Sequence, residues 1–455
     1  MKQPTHRLIL PCLLVALAGC SSLSGSDFAS QSEAPLQALE SWQQTLPDAS
    51  QRTYLTDLMP SEQVQALIQQ GLENNPGVRQ TALAIQIARE NITDAKGERL
   101  PHANLNLSHT KTEDTDAVYQ SGVQVSWTLD WLQKLQDGVD ISTTTLAKQQ
   151  AADQYARDLL ASSIMDTWLQ LVQQSQLIEI ERQRLRVLEQ NETTIVERYR
   201  KGLDELTDLD SARSRSASSR ATLSAYQEGQ QTLQRAMAVL LGETQGDTRY
   251  QPDTTLTYPS VEVPLASVPE QDLGRRPDLQ QAYLDIRIAD LNSAIAYKSL
   301  LPSLSMSLSL TQSSASFRES LFTSPVWSLL NQLTAPLFQG GKLRAQARTA
   351  DLSAEQRYWA YQETLLTAVR EVEDAIGQEK TLTQQQAHIQ DALDNAERSF
   401  EVYQNKYRQG LVSFLDLLTI QTQTFDLQVQ KTRLIYNRLS NRVSLGLALG
   451  LGVKS

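Results

Sequence analysis

The side chains best suited to metal or acid–base chemistry are few: His6, His102, His109 and His388, with Cys12 and Cys20. No histidine has a second ligand at the spacing a metal site needs. Acidic residues are numerous, but they lie along helical stretches where solvation and pairing with a base four residues on account for them. There is no G-x-S-x-G elbow, and Gly340-Gly341 is not followed by the lysine–serine pair of a phosphate loop. The sequence therefore holds no catalytic centre, no metal site and no cofactor site. Two aspartates do stand out by their setting. Asp208 is next to last in RYRKGLDELTDL (198–209), and Asp416 is next to last in KYRQGLVSFLDL (406–417), the same signature at an offset of 208.

Each signature describes a turn between two helices. Gly202 and Gly410 suit the left-handed conformation that ends a helix, and the basic residues before them, Arg200-Lys201 and Arg408, suit its negative end. Ser413, with Asp416 three residues on, has the spacing of a capping box. Asp208 is the counterpart of Asp416, with Glu205 in the serine's place. Helix capping is the first chemistry these carboxylates offer.

The elements around the turns are also duplicated. Residues 76–110 and 277–311 share one plan, with prolines at Pro76 and Pro101 matched by Pro277 and Pro302 at an offset of 201. Two similar structural units follow from a repeat of this length. No proline occurs between Pro101 and Pro252 or after Pro336, and proline costs about 3 kcal/mol inside a helix. The gaps permit very long helices. Apolar residues at helical spacing predict them, Leu159, Leu160, Ile164, Trp168, Leu171 and Val172 in one half and Leu365, Leu366, Val369, Val372 and Ile376 in the other.

Between the helices the period changes to two. Leu105–Ser108, Val123–Trp131 and Leu304–Leu310 alternate apolar with Ser, Thr, Asn or Gln, and Val326–Leu337 does so more weakly. The strands these segments mark have roughly ten residues each, near the 9–11 that cross a bilayer at a tilt. Such strands need no cover on the greasy face if that face meets lipid. Trp127, Trp131 and Trp327 are candidates for the lipid–water interface, ordinary packing on a sheet face being the alternative. Four strands cannot close a barrel, and open edges are not tolerated in hydrocarbon. Several chains must then pool their strands.

The N-terminus reads as a secretory signal: Lys2 and Arg7, an apolar run from Leu8 to Leu17, then Leu17-Ala18-Gly19-Cys20. This ending resembles the bacterial lipobox, so a covalent lipid is expected on Cys20, with Ser21 directing the product to the outer membrane. Cys12 is lost with the signal, which leaves no pair for a disulfide. Net charge is −11 and no basic block occurs, so nucleic acid is excluded as a partner. No stretch of eighteen apolar residues follows residue 20, which excludes helical membrane spans and leaves strands.

With these features in place, the chain resembles the outer-membrane factor family, the TolC- and OprM-like exit ducts, and in its lipobox the lipidated NodT-type branch. The motifs are Leu273-Gly274-Arg275-Arg276-Pro277-Asp278-Leu279, Leu300-Leu301-Pro302-Ser303-Leu304 and Pro336-Leu337-Phe338-Gln339-Gly340-Gly341-Lys342-Leu343, with their order and duplication. The resemblance implies a fold of α plus transmembrane β. Four strands per subunit would form a trimeric twelve-stranded barrel, continued by a long periplasmic α-helical barrel with a mixed α/β equatorial belt. The expected divisions are a signal peptide at 1–19, a lipid-anchored arm at 20–59 and a first repeat at 60–242. That repeat would carry strands near 103–112 and 119–131 and a tip turn near 200–207. A connector at 243–272, a second repeat at 273–447 and a tail at 448–455 would follow. Strands near 303–313 and 325–337 and a tip turn near 408–415 belong to the second repeat.

The implied function is a passive outer-membrane exit duct for drugs or other small molecules. Its expected partners are two further copies, a periplasmic adaptor and an inner-membrane transporter of the RND, MFS or ABC class. Type I protein secretion is the alternative within the family, and a periplasmic coiled-coil scaffold or adaptor the alternative outside it. The resemblance places a gate at the two turns: Asp208, Thr207 and Tyr407 match its gating residues, Tyr407 linking to Asp208, and Asp416 matches an acidic ring position. Val412 stands where TolC-like members have an arginine and Thr419 where they have a second aspartate, which implies a closed state less dependent on that ion pair.

Overall fold

The computed structural model describes residues 25–32, 41–43, 46, 49–113, 116–244, 258–266, 269–321 and 323–454. Cys20 and the expected signal at 1–19 lie outside the described residues, as do parts of the arm and residues 245–257 and 267–268 of the connector.

Nine α-helices and four strands are described. They are α1 (Phe28–Gln31), α2 (Glu62–Asn74), α3 (Pro76–Gly97), β1 (His102–Thr110), β2 (Val118–Leu129), α4 (Lys134–Arg200), α5 (Leu206–Leu240), α6 (Pro269–Gly274), α7 (Pro277–Lys298), β3 (Ser303–Ser314), β4 (Val326–Thr334), α8 (Lys342–Arg408) and α9 (Phe414–Ala448). The duplication is metrical. α4 and α8 each have 67 residues, α5 and α9 each have 35, and α3 and α7 each have 22. At 1.5 Å per residue, α4 and α8 are each about 100 Å long. Local chemistry sets the breaks. Asn75 is extended, as a residue before proline must be, and its Oδ1 accepts the Gly77 N–H at 2.8 Å, so α2 stops and α3 starts at Pro76.

Two compact units are present. The first comprises residues 25–32, Leu83–Ala151 and Asp278–Thr364, and so holds all four strands. Here α7 is tied to the start of α4 by Lys148–Asp285 at 2.7 Å and by Lys298–Asp137, and to the start of α8 by Tyr297–Asp351 at 2.6 Å. Residues 26–29 dock on α7 through Asp290, which accepts Ser26 Oγ–H at 2.8 Å and the Ala29 N–H at 2.9 Å.

The second unit comprises Leu36–Ala82, Ala152–Pro277 and Leu365–Ser455. Its apolar core joins Leu55, Leu58 and Met59 to Val64 and Ile68 of α2, to Ile164, Met165, Leu169 and Leu171 of α4, and to Met237 and Val443. Short parallel bridges, Ser50 with Pro264 and Tyr54 with Gly452, join the N-terminal arm to the connector and the C-terminal tail. Glu379 of α8, buried, accepts from Arg438 at 2.9 Å and from Arg442 at 2.8 Å, both on α9.

The tail is fixed by a carboxylate that burial disfavours. Asp158 of α4 accepts the Val453 N–H and the Gln154 amide, each at 2.7 Å. Desolvation nevertheless pushes its carboxyl from the ordinary 3.8 up to about 6. The folded state thus holds this proton more tightly than the unfolded chain does. Its stabilising contribution is complete below the unfolded pKa and is lost as pH rises through the folded one. Asp158→Asn removes that dependence. In detergent, the parent Tm relative to the variant's should fall as pH rises from about 4 to about 7, and a difference constant with pH would refute the shift.

Candidate functional site

Two places gather the residues singled out by the sequence: the sheet of the first unit and the helical turns of the second.

The sheet is antiparallel in the order β1-β2-β3-β4. Its register aligns like with like. On one face run Leu105, Val123, Leu310 and Trp327, then Ala103, Val125, Leu308 and Leu329, with Leu129, Leu304 and Leu333 toward the helices. On the other run Asn104, Gln124, Ser309 and Ser328, with Thr128, Ser305 and Gln332. Side chains on this polar face bond to each other, Gln124 Nε2 to Ser307 Oγ at 3.2 Å and Ser309 with Ser328 at 2.7 Å. No strand contains Asp, Glu, Lys or Arg. β4 is the least regular, for Leu330 falls on the polar face opposite Ser307 and Asn331 on the apolar face opposite Met306.

β1 and β4 are the outer strands, and every residue in both is exposed. Among the described residues the far edge of each has no strand partner. Trp127 is half-buried and donates its ring N–H to the Arg99 carbonyl at 2.9 Å, whereas Trp131 and Trp327 are exposed. Just past β4, Leu337 and Phe338 are 95% and 89% exposed. Apolar side chains this exposed, beside a greasy sheet face, mark an interaction surface. Their place in the Pro336–Leu343 motif carries no sign of that exposure.

The two turns share one backbone design. Gly202 has φ 72° and Gly410 φ 74°. In the first turn, Gly202 N–H bonds the Tyr199 carbonyl and Leu203 N–H the Arg198 carbonyl, both at 2.9 Å. In the second, Gly410 N–H bonds the Tyr407 carbonyl at 3.0 Å and Leu411 N–H that of Lys406 at 2.9 Å. Each is a Schellman ending, which needs the left-handed residue that glycine supplies. Ser413 and Asp416 then form the capping box: Asp416 N–H donates to Ser413 Oγ, and Ser413 N–H to Asp416 Oδ2, both at 3.1 Å. Ser413 Oγ–H also donates to Asp416 Oδ2 at 2.6 Å, and this bond, with that from the Ser413 N–H, holds the Asp416 carboxyl below its usual range. Asp416 is exposed.

In the first turn Asp208 Oδ2 accepts the Glu205 N–H at 3.2 Å, and Thr207 Oγ donates to Glu205 Oε2 at 3.3 Å. Tyr407 does not hydrogen-bond Asp208 here, because its buried hydroxyl has no partner among the described residues. Burial raises the Tyr407 pKa, and Asp204 and Asp208 add to the effect while Arg198 opposes it. Arg198 and Asp204 were not legible as a site. The Arg198 Nε lies 3.1 and 2.9 Å from the two Asp204 oxygens, and its Nη2 lies 3.0 Å from Oδ1. The guanidinium carbon stands 5.9 Å from the centre of the Tyr407 ring.

The family model described as "Outer membrane efflux protein" matches residues 67–243 and 268–451. A probable outer membrane lipoprotein SilC of Salmonella typhimurium is 25% identical over 458 residues, covering 98% of each chain. The pyoverdine export outer membrane protein OpmQ of Pseudomonas putida is 25% identical over 471 residues, covering 99% of this chain and 98% of its own. A solved membrane protein from Pseudomonas aeruginosa superposes with a TM-score of 0.83 at 23% identity, over 90% of this chain and 97% of its own.

The two faces of the sheet should respond oppositely to charge. Leu308→Arg puts a cation on the apolar face near mid-strand, where lipid exposure costs about 2–4 kcal/mol per copy. Its neighbour Ser307→Arg puts the same cation on the polar face. Heat-resistant oligomer recovered from outer-membrane fractions should be lost in the first variant and kept in the second. Equal loss in both would remove the assignment of faces.

Proposed function

The chain belongs to the outer membrane efflux protein family, and from that premise we propose how its parts work as an exit duct. It is an outer-membrane channel of the efflux type with a periplasmic helical extension, and not an enzyme. It acts with an adaptor and an inner-membrane transporter. The proposal concerns the closure of its wall, the place of its gate and the means of its anchoring.

One observation carries the reading: an uncharged sheet, greasy on one face and polar on the other, with both outer edges unpaired. In hydrocarbon each unpaired backbone group costs several kcal/mol, so β4 of one copy pairs with β1 of the next. Three copies give a closed wall of twelve strands, lipid outside and water within. The polar face offers hydroxyls and amides but no Asp, Glu, Lys or Arg, so the wall retains neither cations nor anions. Solutes pass by diffusion, and the transporter selects them. Its class, RND, MFS or ABC, is not encoded in the wall. Small molecules are the cargo we favour over secreted proteins, since the similar OpmQ is named for pyoverdine export and the family for efflux. Cys20 carries the lipid that anchors the arm, in keeping with SilC being named a lipoprotein.

The tip turns form the gate. Asp416 of three copies converges near the axis as a ring of carboxylates, with Thr207 and Asp208 beside it and Tyr407 behind. Because its Ser413 bonds keep Asp416 ionised below the usual carboxylate range, cation preference should persist into mild acid and disappear only as pH falls further.

Detergent-extracted protein should be a heat-resistant trimer that conducts in planar bilayers, and a water-soluble monomer would end this reading. Reversal potentials across a KCl gradient test the gate. Asp416→Asn should reduce cation preference several-fold at neutral pH and abolish its decline in acid, and an unchanged reversal potential would remove Asp416 from the pore.

A further inference from the structure

The two tip turns are near-copies with one chemical exception. Where the first repeat has Arg198 and Asp204, the second has Lys406 and Val412 at the same offset of 208. The second turn therefore has no ion pair of this design. Lys406 stands instead over Tyr403 of its own helix, 5.7 Å from the ring centre.

Arg198 reaches further than its own turn. Its fork grips Asp204 with both nitrogens, and the Asp204 side chain is only 13% exposed. The guanidinium is also 5.9 Å from the centre of the Tyr407 ring, which belongs to α8; this is within the roughly 6 Å range of a cation–π contact. Tyr407 in turn contacts Phe414, the first residue of α9, with ring centres 5.9 Å apart. Phe414 packs on Ile195, Leu209 and Ala212 of α4 and α5. The ends of all four long helices thus meet in one chain of contacts: Arg198 of α4, with Asp204 of the turn, then Tyr407 of α8, Phe414 of α9 and Leu209 of α5. The Tyr407 hydroxyl makes no bond in that chain, so the ring is the part that is held.

We infer that Arg198 is the positioning residue of the gate: fixed by Asp204, it tethers the second helical hairpin to the first through the Tyr407 ring and so holds the tip closed. This rests on the reading of the tip as the gate. Arg198 supplies from the first turn a cation that the second turn lacks at Val412. Lysine would not replace it fully, because only a planar guanidinium can grip both carboxylate oxygens and stack on a ring.

A cation–π contact at a partly exposed site is worth about two- to fivefold in an equilibrium constant. Three copies acting together shift the balance between closed and open by about tenfold or more. The test is the conductance of the full-length trimer in planar bilayers, after heat-resistant oligomer confirms assembly of each variant. Arg198→Ala should raise mean conductance about tenfold, and Arg198→Lys should give an intermediate value. Tyr407→Leu should open the channel as Arg198→Ala does, and Tyr407→Phe, which keeps the ring, should open it much less. The exchange Arg198→Asp with Asp204→Arg rebuilds the ion pair but turns a carboxylate toward Tyr407, so it should stay open.

Closure by that exchange, or equal opening by Tyr407→Phe and Tyr407→Leu, would overturn the tether. So would an Arg198→Ala channel that conducts like the parent while Asp416→Asn still alters ion selectivity, which leaves the gate in place without the tether. If no tip variant, Asp416→Asn included, changes conductance or selectivity, the gate reading fails and the tether with it.

Discussion

Backbone hydrogen bonding at the rim of a four-stranded sheet governs the rest of this molecule. β1 and β4 each present an edge of N–H and C=O groups with no strand partner among the described residues. In water such an edge is a hazard that proteins blunt with charge or proline. Here the strands carry neither charge nor an interrupting proline. An edge left open and uncharged is an instruction to pair. The apolar face points the same way independently, because Leu105, Trp327, Leu329 and Leu333 stand exposed among the described residues. The proposed lipid-facing wall, shared between copies, rests on these two features of one sheet.

The fold class could be read in advance because its main signals are periodic. Proline-free gaps of this length and a period of 3.6 give long helices, and a period of two gives strands with one greasy face. The two offsets of the repeat are consistent with the register. The offset is 201 from Pro76 and Pro277 to the starts of β1 and β3, and 208 at the starts of β2 and β4. The seven extra residues lie three in the longer β3 and four in the longer loop after it. β4 was the faintest strand in the sequence for a reason now visible: Leu330 and Asn331 have exchanged the faces that strict alternation would give them.

The tip was legible only where its chemistry is local. The Ser413 cap with Asp416 follows from a spacing of three residues, and the Gly202 and Gly410 endings follow from glycine after a basic helix end. The Arg198–Asp204 pair spans six residues across a turn, a distance at which no helical rule pairs side chains. The contact of Arg198 with Tyr407 joins residues from opposite halves of the chain, and no single-sequence pattern encodes it. The link between Tyr407 and Asp208 implied by resemblance takes another form here, since Asp208 bonds the Glu205 N–H and Tyr407 is held by its ring.

The equal lengths of the paired helices limit how the chain can change. One residue inserted into α4 or α8 would advance its end by about 1.5 Å and rotate it by about 100°. Such a slip would carry Arg198 or Tyr407 away from the other, and a compensating insertion in the opposite half would be needed to restore the match. Matching 67-residue and 35-residue helices therefore behave like the two scales of a vernier. Length can drift between descendants of this fold only in paired steps, while the loops outside the strands remain free to grow.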